Sequence, residues 1–295
     1  MTDNFFDVDQ SVSDRLNQGM QIGGSVEIPI LAPFTFWKNG SAQNRPLKDA
    51  NPILYYGGWG TDKQEMDDAI EAYGTPGKVI EVEMTNQDGK DYQAYVSRYV
   101  IVAPIAYRDA WFKKDGVNWL RKAKWEDGYN HHKIQMLCYR ARQIEDGAEP
   151  WGPVVLTVSG YNAGFLLDAV KNWARFLDPV RKKYALNVPA WGFWMSVGSF
   201  GPEPIFKSVG KGTQKPINPI GLHFPTKEPT LEMLKKVFVG KDTLAEMAAL
   251  MEECEEWLNN WKEDPTEQPA AASDYEEPPF EPTTDYSESP EDMPF

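Results

Sequence analysis

Residues 78–104 read KVIEVEMTNQDGKDYQAYVSRYVIVAP, and this stretch decides the fold class. Lys78 to Met84 alternates Val79, Glu81 and Glu83 with Ile80, Val82 and Met84, which is the period of two that a strand imposes on its side chains. Gln93 to Pro104 is β-branched and aromatic, and Asp88-Gly89 supplies a turn between the two runs. The stretch predicts an antiparallel hairpin with Ile80, Val82 and Met84 turned inward, and with it an antiparallel sheet.

Working upstream, Asp62 to Tyr73 places Met66, Ala69, Ile70 and Tyr73 at helical spacing and ends at Gly74, a C-cap residue type. Before it, Arg45 to Thr61 (RPLKDANPILYYGGWGT) reads as an aromatic loop, with Tyr55, Tyr56 and Trp59 among Gly57, Gly58 and Gly60. The glycines do not make a phosphate loop, because no Gly-Lys-Ser/Thr follows. Rings on such a loop either stack on nucleic-acid bases or fold inward as a small satellite core. Ser25 to Trp37 reads as an edge or bent strand limited by Pro29 and Pro33, Asn39-Gly40 as a turn, and residues 1–24 as a loose arm.

Downstream, Tyr107 to Arg142 interleaves cations with rings. Arg108, Trp111, Lys113, Lys114, Trp119, Arg121, Lys122, Lys124 and Trp125 are the densest part, and His131, His132, Lys133, Tyr139 and Arg140 follow. Cations neutralise phosphates and rings stack on unpaired bases, so the combination suits single-stranded nucleic acid. The competing reading is a strand-to-helix connection whose Trp residues pack in the core. Adjacent His131 and His132 point apart and have no third ligand at metal spacing.

Gly152 to Ser159 reads as a buried strand, Asn162 to Leu177 as an amphipathic helix, and Ala190 to Val197 as a further strand. Pro204 to Lys207 and Ile217 to Phe224 suggest two more, with Lys207, Lys211 and Lys215 on the tip between them as a basic finger. Thr230 to Val237 and Thr243 to Trp261 are helical by spacing, the second opened by Asp242 as N-cap. Its stripe of Leu244, Met247, Leu250, Met251, Cys254, Trp257, Leu258 and Trp261 is either a docking face on the chain's own core or a homo-oligomer contact through residues 243–261.

Charge divides the 295 residues unevenly. The net value is −14, but residues 263–295 hold eleven acids and no Lys or Arg, which leaves −3 for the rest. Within Tyr107 to Lys215 there are 17 basic and 10 acidic residues, a local +7, which fits contact with a polyanion as well as a solvated basic face. Cys138 and Cys254 fall in segments that read as helical, have no metal-ligand spacing, and are expected as buried free thiols. The acidic N-terminus lacks the charge of a signal peptide, and no apolar run reaches the roughly 18 residues of a membrane span. An intracellular, cytoplasmic protein is the expectation.

The last segment, EDPTEQPAAASDYEEPPFEPTTDYSESPEDMPF, also has seven prolines, too little apolar surface to order itself, and a close of Glu291, Asp292, Met293, Pro294 and Phe295. Asp292-Met293-Pro294-Phe295, with Glu288 and Glu291 upstream, resembles the tail tip of bacterial and phage single-stranded DNA-binding proteins (the SSB family), a likeness over about the last eight residues. The resemblance implies a tip whose Phe enters a pocket on a genome-maintenance enzyme of replication, recombination or repair, with its acids on a basic rim. The body, residues 1–262, carries no matching SSB pattern.

These readings predict an α+β fold, mainly β: an OB-fold-like antiparallel barrel with helical additions and a disordered acidic tail. The expected organisation is a flexible arm at 1–24, an OB-like nucleic-acid-binding domain at 25–228, C-terminal helices at 229–262, and the tail at 263–295. The expected function is sequence-tolerant coating of single-stranded DNA, without cofactor, metal or catalysis. A nucleic-acid enzyme finds little support, since no Ser-His-Asp order, HExxH motif or paired DxD cluster is present among three His residues. A protein-interaction accessory factor, with every ring in its core and the tail as its only functional element, is the other alternative.

Overall fold

The structure, a computed structural model, describes residues 27–40, 56–85, 91–115, 118–144, 147–200, 205–209 and 213–262. Strands β3 (Ile80–Thr85) and β4 (Asp91–Ser97) pair antiparallel from Ile80↔Val96 to Thr85↔Asp91, as the alternation predicts. Their turn lies outside the described residues. The inward face is a small cluster in which Val82, Met84 and Tyr92 pack on Ala94 and Val96, while Ile80, at the sheet margin, is 40% exposed and not inward. The second half of the quoted stretch is two strands. It bends at Arg98 and continues as β5 (Tyr99–Asp115), which runs eleven residues past the expected end at Pro104.

The fold is mainly β, a curled half-barrel sheet with a few helices. The remaining strands of this sheet are β1 (Phe34–Lys38), β2 (Gly58–Asp62), β6 (Asn118–Lys122), β7 (His131–Ile144), β8 (Gly147–Ser159), β9 (Met195–Gly198) and β12 (Gly221–His223). Their order is β12-β9-β5-β7-β8-β1-β2-β4-β3, with β6 alongside the far end of β5, and β1 with β8 is the parallel pair in an otherwise antiparallel sheet. Ser25 to Trp37 is therefore not an edge. The proline-bearing part precedes the strand, and Phe34–Lys38 is hydrogen-bonded on both sides. Asp62 caps α1 (Lys63–Tyr73) by accepting from the Gln64 amide, and Gly74 closes it at φ +78°.

Curling follows from β4 running straight into β5. The two strands lie in different parts of the strand order, so the bend at Arg98 brings the β2 side of the sheet toward β9. Trp59 of β2 spans the gap: its indole N–H donates to the Val197 carbonyl of β9 at 3.0 Å, and its ring meets Trp37 edge-on at 5.1 Å. Where β9 crosses the bend, a Cβ on Gly198 would lie 2.2 Å from the Arg98 carbonyl, so a residue without a side chain is required there. A register shift between Pro104 and Ala106 adds to the curvature, as bulges do.

Central β7 and β8 are buried over Lys133–Cys138 and Trp151–Val158, on both faces of the sheet. Cys138 therefore lies in a strand, not a helix. Helix α2 (Tyr161–Lys183) packs along β7, β8, β9 and β12, burying Leu166, Val170, Trp173 and Leu177. Asn39, at the predicted turn, accepts from Trp37 Nε1, Asn162 Nδ2 and the Asn218 amide, tying β1 to the start of α2. Ala190 to Val197 divides into a short 3-10 turn and β9. β10 (Ile205–Val209) pairs with β11 (Thr213–Ile217) as a separate hairpin, and β12 pairs with β9 instead.

At the C-terminal end, α3 (Leu231–Val237) is capped by the Thr230 hydroxyl, which accepts from the Met233 amide. The predicted last helix is two, α4 (Lys241–Glu253) and α5 (Glu255–Asn259), and the N-cap is Gly240 rather than Asp242. Leu244, Met247, Cys254, Trp257, Leu258 and Trp261 are all at most 5% exposed and pack on the chain's own core, while Leu250 and Met251 are half-buried against it. Among the described residues no helix is long and apolar enough to cross a membrane.

Candidate nucleic-acid interface

Most of the basic aromatic segment is strand; residues 123–130, which carry Lys124 and Trp125, are the connection between two of the strands. The far half of β5, with β6 on one side and β7 on the other, forms a three-stranded finger in which Trp111 stands between Lys122 and His132, and Phe112 between Arg121 and His131. Because successive strand residues face opposite ways, the finger has two distinct faces. One carries Trp111, Lys113, Leu120, Lys122 and His132. The other carries Phe112, Lys114, Trp119, Arg121 and His131.

Each face holds a Trp–His pair. Trp111 stacks on His132 with ring centroids 4.5 Å apart and planes 16° from parallel, and His132 Nε2 lies 2.9 Å from Asp109 Oδ2. Trp119 meets His131 edge-on at 5.2 Å on the opposite side. Trp119 is 43% and Leu120 41% exposed, and Lys113 and Lys114 are exposed beside them. At the margin of the finger Lys122, Lys124, Trp125 and Lys262 line a shallow cavity of about 260 Å³, with Glu126 holding Lys122 at 3.2 Å. From Trp111 to Lys133 there are six Lys or Arg and three acids, so the finger is a net cation.

Arg108 belongs elsewhere. It is 6% exposed, its guanidinium sits 3.9 Å from the Trp257 ring and 4.4 Å from the Trp261 ring, and it donates to Gln135 Oε1 and to the Trp257 carbonyl. This is a clamp on the C-terminal helices, not a phosphate contact. Lys133, 9% exposed, shares the Trp261 ring, and Phe112 meets that ring edge-on at 5.4 Å. Arg121 donates to the Asn260 carbonyl at 2.7 Å and extends the same clamp to the root of the finger. Residues 257–262 are thereby fastened to the finger.

The remaining sequence candidates scatter. Trp59 is 1% exposed and bridges two strands of the core, so it presents no ring to a ligand, and the glycine-rich stretch around it is strand β2. Tyr56 is half-buried, with the Arg98 guanidinium 4.4 Å above its ring and its carbonyl accepting from the Ser199 hydroxyl. Lys207 and Lys215 occupy paired register positions of the β10–β11 hairpin. Tyr55, Lys211 and the tip residues Glu291, Asp292, Met293, Pro294 and Phe295, like the arm at 1–24, lie outside the described residues. The finger thus gathers Trp111, Lys113, Lys114, Trp119, Arg121, Lys122, Lys124 and Trp125.

Leu120 and Lys262 escaped the sequence reading. Leu120 was findable as the odd neighbour of Trp119 once Asn118–Lys122 is taken as a strand, and Lys262 as the last cation before the acidic segment. Among the described residues no three His, Cys, Asp or Glu side chains gather as metal ligands do. Burial raises both thiols, Cys254 to about 12 with the Glu253 carboxylate adding to it, so neither forms the thiolate that nucleophilic chemistry uses. Burial lowers Arg140 to about 10, which leaves it charged at neutral pH over the Trp151 ring. Set against known proteins, the chain matches no protein-family model, no curated protein and no solved structure.

Proposed function

We propose that this protein binds single-stranded DNA without catalysis or cofactor, through the β5–β6–β7 finger, with little sequence preference. The observation that carries the reading is the exposed Trp119 paired with exposed Lys114 on one face of the finger. A solvent-facing ring beside a cation matches the alternation of base and phosphate along an unpaired strand. The curled sheet would serve as the scaffold that an OB-type barrel provides, with the finger in the place of its binding loops. Such a protein works in the cytoplasm, on host or mobile-element DNA.

The resemblance of Asp292-Met293-Pro294-Phe295 to SSB tips supports a second part of the proposal, recruitment of replication, recombination or repair enzymes. Lys262 lines the cavity of the finger and the eleven acids follow it in the chain, so an acidic segment tethered there would compete with DNA at high local concentration. One structural fact favours the alternative of a protein-interaction factor: Trp59, Trp257 and Trp261 are core residues.

Intrinsic Trp fluorescence titrated with an unstructured single strand, at two salt concentrations and against an equal-length duplex, tests the choice. Quenching by the single strand that weakens with salt is expected, with little response to duplex. No change at any salt would sink the proposal and leave the interaction reading.

A further inference from the structure

The finger exposes large apolar groups on both of its faces, which a sheet extension built to bind one strand does not require. Neighbouring residues Trp119 and Leu120 are 43% and 41% exposed although they point to opposite sides of β6. Each side has its own platform of rings and cations, Trp111 on His132 beside Lys113, and Trp119 against His131 beside Lys114. An antiparallel sheet commonly packs one face on the core; here the C-terminal clamp covers the root, at Phe112 and Arg121, and Gly128 lies beside the Lys113 side chain on the Trp111 face, while Trp119 and Leu120 stay exposed.

We propose that the finger holds two single-stranded segments at once, one on each face, and so brings two strands, or two parts of one strand, to a common site. Strand joining follows from the raised effective concentration of the two segments. The sheet between the faces keeps the bound segments from pairing across it, so pairing starts where both run past the end of the finger, beyond the Asp115↔Asn118 pair. Trp111 with Lys113 anchors one segment and Trp119 with Lys114 the other. Asp109 and Asp115 lie on the Trp111 face, which makes that face the weaker of the two.

This inference rests on the single-strand reading above, and its test separates the two. Two non-complementary oligonucleotides of different mass, each about 8 nucleotides long, are mixed with the full chain, and complexes are weighed by native mass spectrometry. One chain carrying two oligonucleotides is expected. Trp119→Ala and Trp111→Ala, each checked for wild-type thermal unfolding, should each carry one, with the lost site weakened roughly 5- to 150-fold, as loss of one stacked ring predicts. A wild-type chain that carries one oligonucleotide at saturation overturns the two-face inference and leaves single-strand binding standing. So does a Trp119→Ala chain that loses both, because the rings would then line one path. A chain that binds none overturns both readings. Where either Trp→Ala variant melts early, Lys114→Glu and Lys113→Glu, both at exposed positions, replace them and are read the same way.

Discussion

Replacing Arg108 by Met separates a structural cation from a binding one. The guanidinium makes two hydrogen bonds of 2.8 Å, to Gln135 Oε1 and the Trp257 carbonyl, and lies against two indole faces. Each acceptor left without its donor costs about 1–3 kcal/mol, and each cation–π contact contributes about 0.5–2 kcal/mol in a desolvated setting. Against these losses stands the relief of no longer burying a charge. The net is a destabilisation of about 2–4 kcal/mol, or roughly 5–15 °C in melting temperature for a body of this size. The Met stem fills most of the space between the rings, so the effect is electrostatic rather than a cavity. Thermal unfolding and a salt series of single-strand binding are measured on the same sample. The expected result is a large drop in melting temperature with an unchanged salt slope. Lys114→Met should do the reverse, leaving stability within about 0.5 kcal/mol while the slope of log K against log salt falls by about 0.7. If Arg108→Met melts like wild type and flattens the salt slope, Arg108 is a phosphate contact and the clamp argument is wrong.

Three further outcomes test the fold. Trp59→Phe keeps a ring between β2 and β9 but strands the Val197 carbonyl, and urea unfolding should show a loss of about 1–3 kcal/mol; a variant as stable as wild type would mean the curl does not depend on that bridge. Gly198→Ala drives a Cβ into the Arg98 carbonyl and Tyr99 Cα, backbone atoms that cannot rotate away, so thermal unfolding should show at least about 1–3 kcal/mol lost. Burial raises the Glu65 carboxyl, against the lowering effect of the Phe34 amide that donates to it. A raised acid binds its proton more tightly when folded, so its stabilising effect is full below the unfolded value near 4.5 and fades as pH rises through the folded one. Glu65→Gln retains the acceptor without the charge, and should therefore be more stable than wild type at pH 7 and lose that advantage near pH 4. An advantage that is independent of pH would show that Glu65 is not the group responsible.

Strands were legible where the period of two ran against a one-sided core, as in β3 and β4, and where an apolar run was flanked by turn residues, as in β8. Two features were not. Gly57, Gly58 and Gly60 have the composition of a loop, yet Gly58 and Gly60 are in strand β2 and Gly57 sits where the chain is crowded: a Cβ on it would lie 2.8 Å from the Lys38 carbonyl and from Asn218 Cβ. Local sequence cannot distinguish a glycine chosen for freedom from one chosen for close approach, since the crowding residue is far away in the chain. The long last helix was drawn through Cys254 because its apolar stripe continues in phase across the break between α4 and α5.

The interleaving of cations and rings was legible, but its division was not, and the reason is specific. Arg108 and Lys114 lie on the same face of the same strand and differ by six positions. What buries one and exposes the other is the Trp257 to Trp261 segment, whose contact with Arg108 spans 149 residues. A cation between two rings looks in sequence like a site for a base and a phosphate, because indole faces and carbonyl oxygens attract a guanidinium by the same electrostatics that bases and phosphates do. The protein satisfies Arg108 and Arg121 with its own C-terminal segment and leaves Lys113, Lys114 and Trp119 beyond its reach. The boundary of the candidate interface is therefore set by how far along β5 the C-terminal helices extend. Shortening that segment at Trp257 would not enlarge the binding surface, since the same cut removes the rings and carbonyl that hold Arg108, and with them part of the core on which the finger stands.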